Sequence, residues 1–306
     1  MEFSHISVLL QESIEALKIL PTGVYVDGTA GGGGHSFEIA RRLTTGRLIA
    51  LDRDPEAVLA ATERLKGLPA KVVQSNFKDF DAVLDAEGVE KINGMLLDLG
   101  VSSHQLDAAE RGFSYKSEAP LDMRMGESGP TAADLVNTLP YGELVRILRS
   151  FGEEKFAPAI VKAIVRRQEA EPITTTLQLA ELVCSAVPAA ARRDGHPARK
   201  TFQALRIAVN GELDALQEVL QKAFDRLAPG GVLAVITFHS LEDRMVKHAF
   251  AEFIKGCICP PELPVCVCGR KPAGELLFKK PVLPSAEELK VNKRSRSAKL
   301  RAVQKY

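Results

Sequence analysis

The stretch VYVDGTAGGGGHSFEIA, residues 24–40, ends an apolar run on an acid, Asp27, and follows it with a glycine cluster. A phosphate-binding P-loop requires GxxxxGK[ST], and no Lys follows these glycines. A dinucleotide fingerprint requires GxGxxG; with Gly31 and Gly33 as its first two glycines, Ser36 takes the third place and the pattern fails. A glycine turn beside an acid suits a different ligand, one that the backbone approaches closely while a carboxylate accepts a cationic group. Three more acids or bases stand where such chemistry needs them. Asp52 closes RLIALD, Asp98 closes INGMLLD, and His239 follows the apolar run GVLAVITF.

The segment Asp27-Gly28-Thr29-Ala30-Gly31-Gly32-Gly33 resembles motif I of the class I S-adenosylmethionine-dependent methyltransferases. That cofactor carries an ammonium and a carboxylate but no pyrophosphate, so Asp27 is expected to accept the ammonium. A second acid belongs at the tip of the next strand, about 20 residues on, to hold the ribose hydroxyls. Asp52 stands there; it also reads as a strand-end cap, and its pairing with the glycines favours the cofactor. Phe77, after the third apolar run, lies where this fold contacts the adenine, and a core role accounts for it equally well.

The elements that must position these groups alternate. VYVDGT, RLIALD, KVVQSN and INGMLLDLG read as strands, and HSFEIARRL, DPEAVLAATERLK and FDAVLDAEG between them carry helical periodicity. A β-α-β series of this kind implies a mostly parallel sheet with helices on its faces. The next strand is GVLAVITFHS, preceded by one long amphipathic helix over 200–231. Well over a hundred residues separate the fourth and fifth strands, far more than a βα unit uses. The fold class is therefore α/β, Rossmann-like, with an inserted helical subdomain. The expected division is 1–104 for the first part of the methyltransferase domain, 105–205 for the insert and 206–306 for the second part with a basic tail.

The chain has 306 residues, 45% hydrophobic and 26% charged, which is globular composition rather than that of a disordered chain. No apolar run approaches the length of a membrane span, and the N-terminus lacks the basic region of a signal peptide, so a cytoplasmic location is expected. With 40 basic and 39 acidic residues the net charge is +1. Its distribution is less even: KVNKRSRSAKLRAVQK at 290–305 and ARRDGHPARK at 191–200 are basic clusters, suited to a polyanion or simply solvated. Four of five cysteines form two Cys-x-Cys pairs, Cys257/Cys259 and Cys266/Cys268. Their one-residue gap departs from the usual Cys-x2-Cys of structural zinc, so the loop reads as proline-rich with reduced thiols and no metal, with metal binding the alternative. Cys184 reads as a buried helix residue.

Several longer motifs bear a family resemblance. HISVLLQESIEAL, DGTAGGGGHS, LDRDP, LLDLGVSSHQLDAAERGFSY, PLDMRM, FGEEKFAPAI, TFQALRIAVNGEL, TFHSLEDRMVK and NKRSRSAKLR resemble the bacterial small-subunit (16S) ribosomal RNA cytosine-N4 methyltransferase family, known as RsmH or MraW. The resemblance runs from His5 to about Arg301, with His104 where many members carry proline. It implies an S-adenosyl-L-methionine-dependent enzyme that methylates the exocyclic amino group of one cytidine in the decoding region of the small subunit. Its partner would be small-subunit ribosomal RNA, naked or assembled, with no membrane and the oligomeric state open. Residue by residue it places cofactor contacts on Gly33, Gly34, His35, Asp52, Phe77, Asp98 and Gln105.

Cytosine N4 is a poor nucleophile because its lone pair is delocalised into the ring. An acceptor for the amino protons turns that lone pair toward the methyl group. The [SDN]PP[YF] tetrapeptide of DNA amino methyltransferases is absent, and DLGVSS stands in the equivalent place. Asp98, or a backbone carbonyl just after it, is the expected acceptor, with Ser102 and Ser103 nearby either as participants or as turn formers. His239 is the expected acceptor of the displaced proton, oriented by Glu242 or Asp243; a structural histidine is the alternative.

Overall fold

The computed structural model describes residues 7–189, 195–260, 263, 265 and 267–306, without the side chains of residues 103 and 104. It divides into two compact units, residues 1–100 with 214–306, and residues 101–213. The expected boundaries were 104/105 and 205/206.

In chain order the first unit opens with α1 (Leu10–Leu17), β1 (Val24–Asp27), α2 (Gly34–Ala40), β2 (Arg47–Asp52), α3 (Pro55–Arg64), β3 (Ala70–Gln74), α4 (Phe80–Ala86) and β4 (Ile92–Asp98). The residues dictate these boundaries. Asp54 caps α3 through a hydrogen bond accepted from the Glu56 amide, and Pro55 opens the helix where its missing N–H costs nothing. β4 buries Ile92 and Met95 through Leu97 on both faces, as a central parallel strand must when helices cover the sheet.

The second unit holds α5 (Ser103–Asp107), α6 (Ala132–Thr138), α7 (Tyr141–Gly152), α8 (Ala157–Gln168), α9 (Thr176–Ala186) and α10 (Ala198–Asn210). Apolar spacing of three and four buries Leu144, Ile147 and Leu148 of α7 with Ile160, Val161 and Ile164 of α8 in one core. Thr131 and Thr175 each form a reciprocal capping box, with Asp134 and Gln178, which starts α6 and α9 at fixed points. Cys184 lies on α9 as expected but is half-buried rather than buried.

The chain continues through α11 (Glu212–Arg226), β5 (Leu227–Thr237), α12 (Ser240–Phe253), β6 (Gly274–Leu276), α13 (Ala286–Val291) and β7 (Lys299–Lys305). The single helix expected over 200–231 is therefore two helices. Gly211 adopts a left-handed conformation with φ 60 and ends α10, and α11 begins at the next residue.

Among the described residues, seven strands make one sheet in the order β3-β2-β1-β4-β5-β7-β6. β1 to β5 pair in parallel, while β7 runs antiparallel to both β5 and β6. The order reverses between β1 and β4, the point where ligands bind beyond the carboxyl ends of strands in open α/β sheets. β7 corrects the expectation of a basic tail: Leu300, Ala302 and Val303 are buried, and Lys299 and Arg301 both bind Asp243.

Candidate functional site

Each acid read from the sequence stands at the carboxyl end of a strand of the first unit. Asp27 ends β1 and is 1% exposed. Its Oδ2 accepts from Ser36 Oγ at 2.6 Å, and its Oδ1 accepts from the Thr29 amide at 3.1 Å, so the carboxylate holds the glycine turn in shape. Burial pushes its pKa up from 3.8 to about 6, with the Ser36 hydroxyl pulling the other way.

The proton is thus favoured in the fold, and stability linked to Asp27 is present at low pH and lost as pH rises from about 4 through about 6. A shift of this size corresponds to about 3 kcal/mol at most. Asp27→Asn is expected to match or exceed the parent's melting temperature at pH 8, with the advantage shrinking toward pH 5. Thermal melts at the two pH values check this; an equal loss at both would contradict it.

The turn itself runs with Gly31 at φ 51 and Gly33 at φ 75, a region that side-chain-bearing residues adopt only with strain. At Gly28 the constraint is space, since a Cβ would lie 2.5 Å from Leu97 Cδ2 and 3.1 Å from Phe77 Cβ. Phe77 opens a short 3-10 helix after β3 and packs against the sheet core, beside the glycine turn.

Asp52, half-buried at the end of β2, accepts from the Gly31 amide at 2.8 Å through Oδ2 and from the Asp54 amide at 2.9 Å through Oδ1. Its carboxylate therefore ties the turn to the second strand. Burial raises its pKa, and the Asp54 and Gly31 amides lower it.

Asp98 ends β4 in a different situation. Its amide donates to Thr29 Oγ1 at 2.6 Å, its Oδ2 lies 3.7 Å from His35 Nδ1, and its Oδ1 is buried with no hydrogen-bond partner among the described residues. Burial first, and then the negative charges of Asp27, Glu242 and Glu288, push its pKa well above the usual carboxylate range. An unpaired oxygen in a crowd of carboxylates is costly unless a donor or a cation arrives. His35, 5% exposed, sits in the first turn of α2, and its Nε2 lies 3.0 Å from the Val8 carbonyl, which fixes the ring beside Asp98.

His239, the expected proton acceptor, has a structural part in the fold. It is the N-cap of α12: the Glu242 amide donates to Nδ1 at 3.4 Å, while Nε2 lies 3.1 Å from Glu242 Oε1. Nδ1 accepts from the helix, while Nε2 is buried with no hydrogen-bond partner among the described residues. Glu242 orients this ring and also accepts from the Phe238 and His239 amides, whereas Asp243 is turned to Lys299 and Arg301.

Ser102 and Gln105 lie in the second unit and bind each other. The Ser102 amide donates to Gln105 Oε1 at 3.0 Å, and the Gln105 amide donates to Ser102 Oγ at 3.1 Å. This reciprocal pair caps α5, the turn-forming alternative for Ser102. Ser103 has no described side chain. Gly34 starts α2, where a Cβ would sit 1.9 Å from Ser7 Oγ. The groups missed in the sequence are Thr29 and Ser36, which link Asp98 and Asp27 to the turn. Both stand inside the quoted glycine motif, and their hydroxyls beside a buried acid were the available signal. Of the basic cluster at 191–200, residues 191–194 lie outside the described residues, as does Cys266; His196 stacks on Tyr115 with ring centroids 4.4 Å apart.

The strand order, with a glycine turn and acids at the switch point, defines a class I methyltransferase fold. The chain belongs to the MraW methylase family, which it matches over residues 2–306. It is 55% identical over 311 residues to ribosomal RNA small subunit methyltransferase H of Heliobacterium mobile, covering 100% of both chains. The same-named proteins of Heliobacterium modesticaldum and Symbiobacterium thermophilum are 54% and 55% identical, with 100% of this chain and 99% and 98% of theirs covered. No helix among the described residues is long and apolar enough to cross a membrane.

Proposed function

We propose that the protein methylates small-subunit ribosomal RNA, at the exocyclic N4 amino group of one cytidine in the decoding region. The observation that carries this reading is the end-to-end identity of 55% with a relative named for small-subunit ribosomal RNA methylation. The motifs around Asp98 and His239, quoted above, supply the cytosine and the decoding region by resemblance. The methyl donor is S-adenosyl-L-methionine, which supplies an electrophilic methyl group on a sulfonium.

The residues present fit that donor. A carboxylate-crowded edge with an orphaned, buried Asp98 oxygen suits a ligand carrying an ammonium and a sulfonium. Asp27 offers an acceptor for the ammonium, Asp52 for the ribose hydroxyls, and Phe77 an apolar face for the adenine. Gly33, Gly34 and His35 are the backbone segment that approaches it.

Asp98 Oδ1 then takes a hydrogen bond from the cytosine amino group and directs its lone pair at the methyl carbon, so that positioning supplies most of the acceleration. Ser102 holds the chain after β4 in its turn. His239 and Glu242 hold the entry to α12 and act as positioning residues, and the displaced proton leaves to solvent. The target base must leave its stack to reach such a site, so the surrounding RNA has to be gripped. Lys293, Arg294 and Arg296, exposed on a short 3-10 helix before β7, are suited to phosphate contact, together with the basic cluster of the second unit. Such contacts make RNA binding fall steeply with added salt.

Incubation with S-adenosyl-L-methionine carrying a labelled methyl group, and with small subunits lacking the modification, tests the substrate class. Label in the RNA fraction is expected, and label confined to ribosomal protein, or none in either fraction, would contradict the reading.

A further inference from the structure

Among the described residues of the loop between α12 and β6, the sulfurs draw together. Cys257, Cys259 and Cys268 each offer a sulfur, and all three lie within 4.8 Å of one another. Cys257 Sγ and Cys268 Sγ are 3.7 Å apart, too far for a disulfide. A tetrahedral zinc with Zn–S bonds of about 2.3 Å has ligand sulfurs about 3.8 Å apart. Backbone amides point at the sulfurs: Ile258 N lies 3.5 Å from Cys268 Sγ, Cys259 N 3.4 Å from Cys257 Sγ, and Val267 N 3.4 Å from Cys259 Sγ. A thiol is a weak acceptor, whereas amides aimed at a thiolate stabilise its charge and orient it toward a metal.

The apolar residues of the same loop take the opposite course. Ile258, Leu263, Val265 and Val267 are 52%, 45%, 69% and 77% exposed. Cys257 is exposed and Cys259 and Cys268 are half-buried, so the sulfurs converge at the surface while the apolar side chains beside them find no core. Sulfurs that converge without an apolar core to hold them are what a bound metal accounts for. The Cys-x-Cys gap does not prevent convergence, because the sulfurs come from two chain segments that fold together, with Gly269 turning at φ 62 just after Cys268.

We infer that Cys257, Cys259 and Cys268 form a thiolate site for a soft divalent cation of the zinc class, which staples the loop between α12 and β6. The fourth coordination position falls to a donor beyond these three. Each thiol gives up its proton to solvent as the metal binds. The site lies outside the methyl-transfer machinery, so it stands or falls independently of the proposed reaction.

The test uses the full chain purified under reducing conditions without chelator. Elemental analysis is expected to find stoichiometric zinc, and replacement with cobalt(II) to give the intense thiolate-to-cobalt absorption in the near ultraviolet. Cys257→Ser and Cys268→Ser are expected to lose most of the bound metal, and Cys184→Ser on α9 to keep it. The cobalt spectrum of the unaltered chain keeps the inference testable even where a serine variant misfolds. A chain that stays metal-free after reconstitution with zinc(II) and gives no cobalt–thiolate band would overturn it, as would an intact mass showing a disulfide within the loop in freshly purified protein.

Discussion

Asp98→Asn is expected to lower single-turnover methyl transfer about a hundredfold or more at saturating donor, the cost of losing one positioned electrostatic partner. The side chain keeps its volume, and the amide presents a weaker acceptor where the carboxylate faces the substrate amino group. Stability is expected to move the other way. Asp98 carries an orphaned buried oxygen, and nearby negative charges raise its pKa further, so removing the charge relieves the fold. A structural role for Asp98 predicts the reverse pair of results, a lower melting temperature with the rate intact. Rapid-quench kinetics beside thermal melts of the same variant separate the two.

Leu300→Ala is expected to cost about 2–5 kcal/mol, a large part of a typical domain's stability. Leu300 is fully buried and belongs to β7, which pairs with β5 from Val232 to Thr237. Arg296→Ala, only four residues earlier, should leave the melting temperature nearly unchanged, because that side chain is exposed, while weakening RNA binding at low salt. Denaturant unfolding of the two variants checks the contrast. Equal tolerance of both changes would restore the segment to a dispensable basic tail.

The same segment explains where sequence reading stops. In KLRAVQK the alternation that marks a strand buried on one face is present, but Lys and Arg fill the other positions, and charge density reads first as a tail. Only the fold reveals that Asp243 of α12 receives Lys299 and Arg301. β1 to β4 were legible because branched residues crowd each run and a turn or acid closes it. The helices of the second unit were legible from their periodicity. The break at Gly211 was not, since the apolar spacing runs through it and one glycine decides between a continued helix and a left-handed cap.

At the site, strand-end acids were legible by position, while their partners were not. Asp27, Asp52 and Asp98 look alike as residues that close apolar runs, yet their surroundings separate them. Asp27 is tied to Ser36 and Thr29, Asp52 to the Gly31 and Asp54 amides, and Asp98 keeps an oxygen unpaired. His239 reads as a base because it follows a strand, and its His-x-x-Glu spacing with Glu242 is also that of a capping box with histidine in the serine's place. Where two readings share one residue, hydrogen-bond partners decide between them, and those partners come from elements far apart in sequence.

The central claim is the identity of the methylated nucleoside. Small subunits lacking the modification, treated with the protein and methyl-labelled S-adenosyl-L-methionine, yield their RNA for complete digestion and nucleoside mass spectrometry. The account predicts label in N4-methylcytidine from a single position of the decoding region. Label in any other nucleoside, with N4-methylcytidine absent, would contradict it.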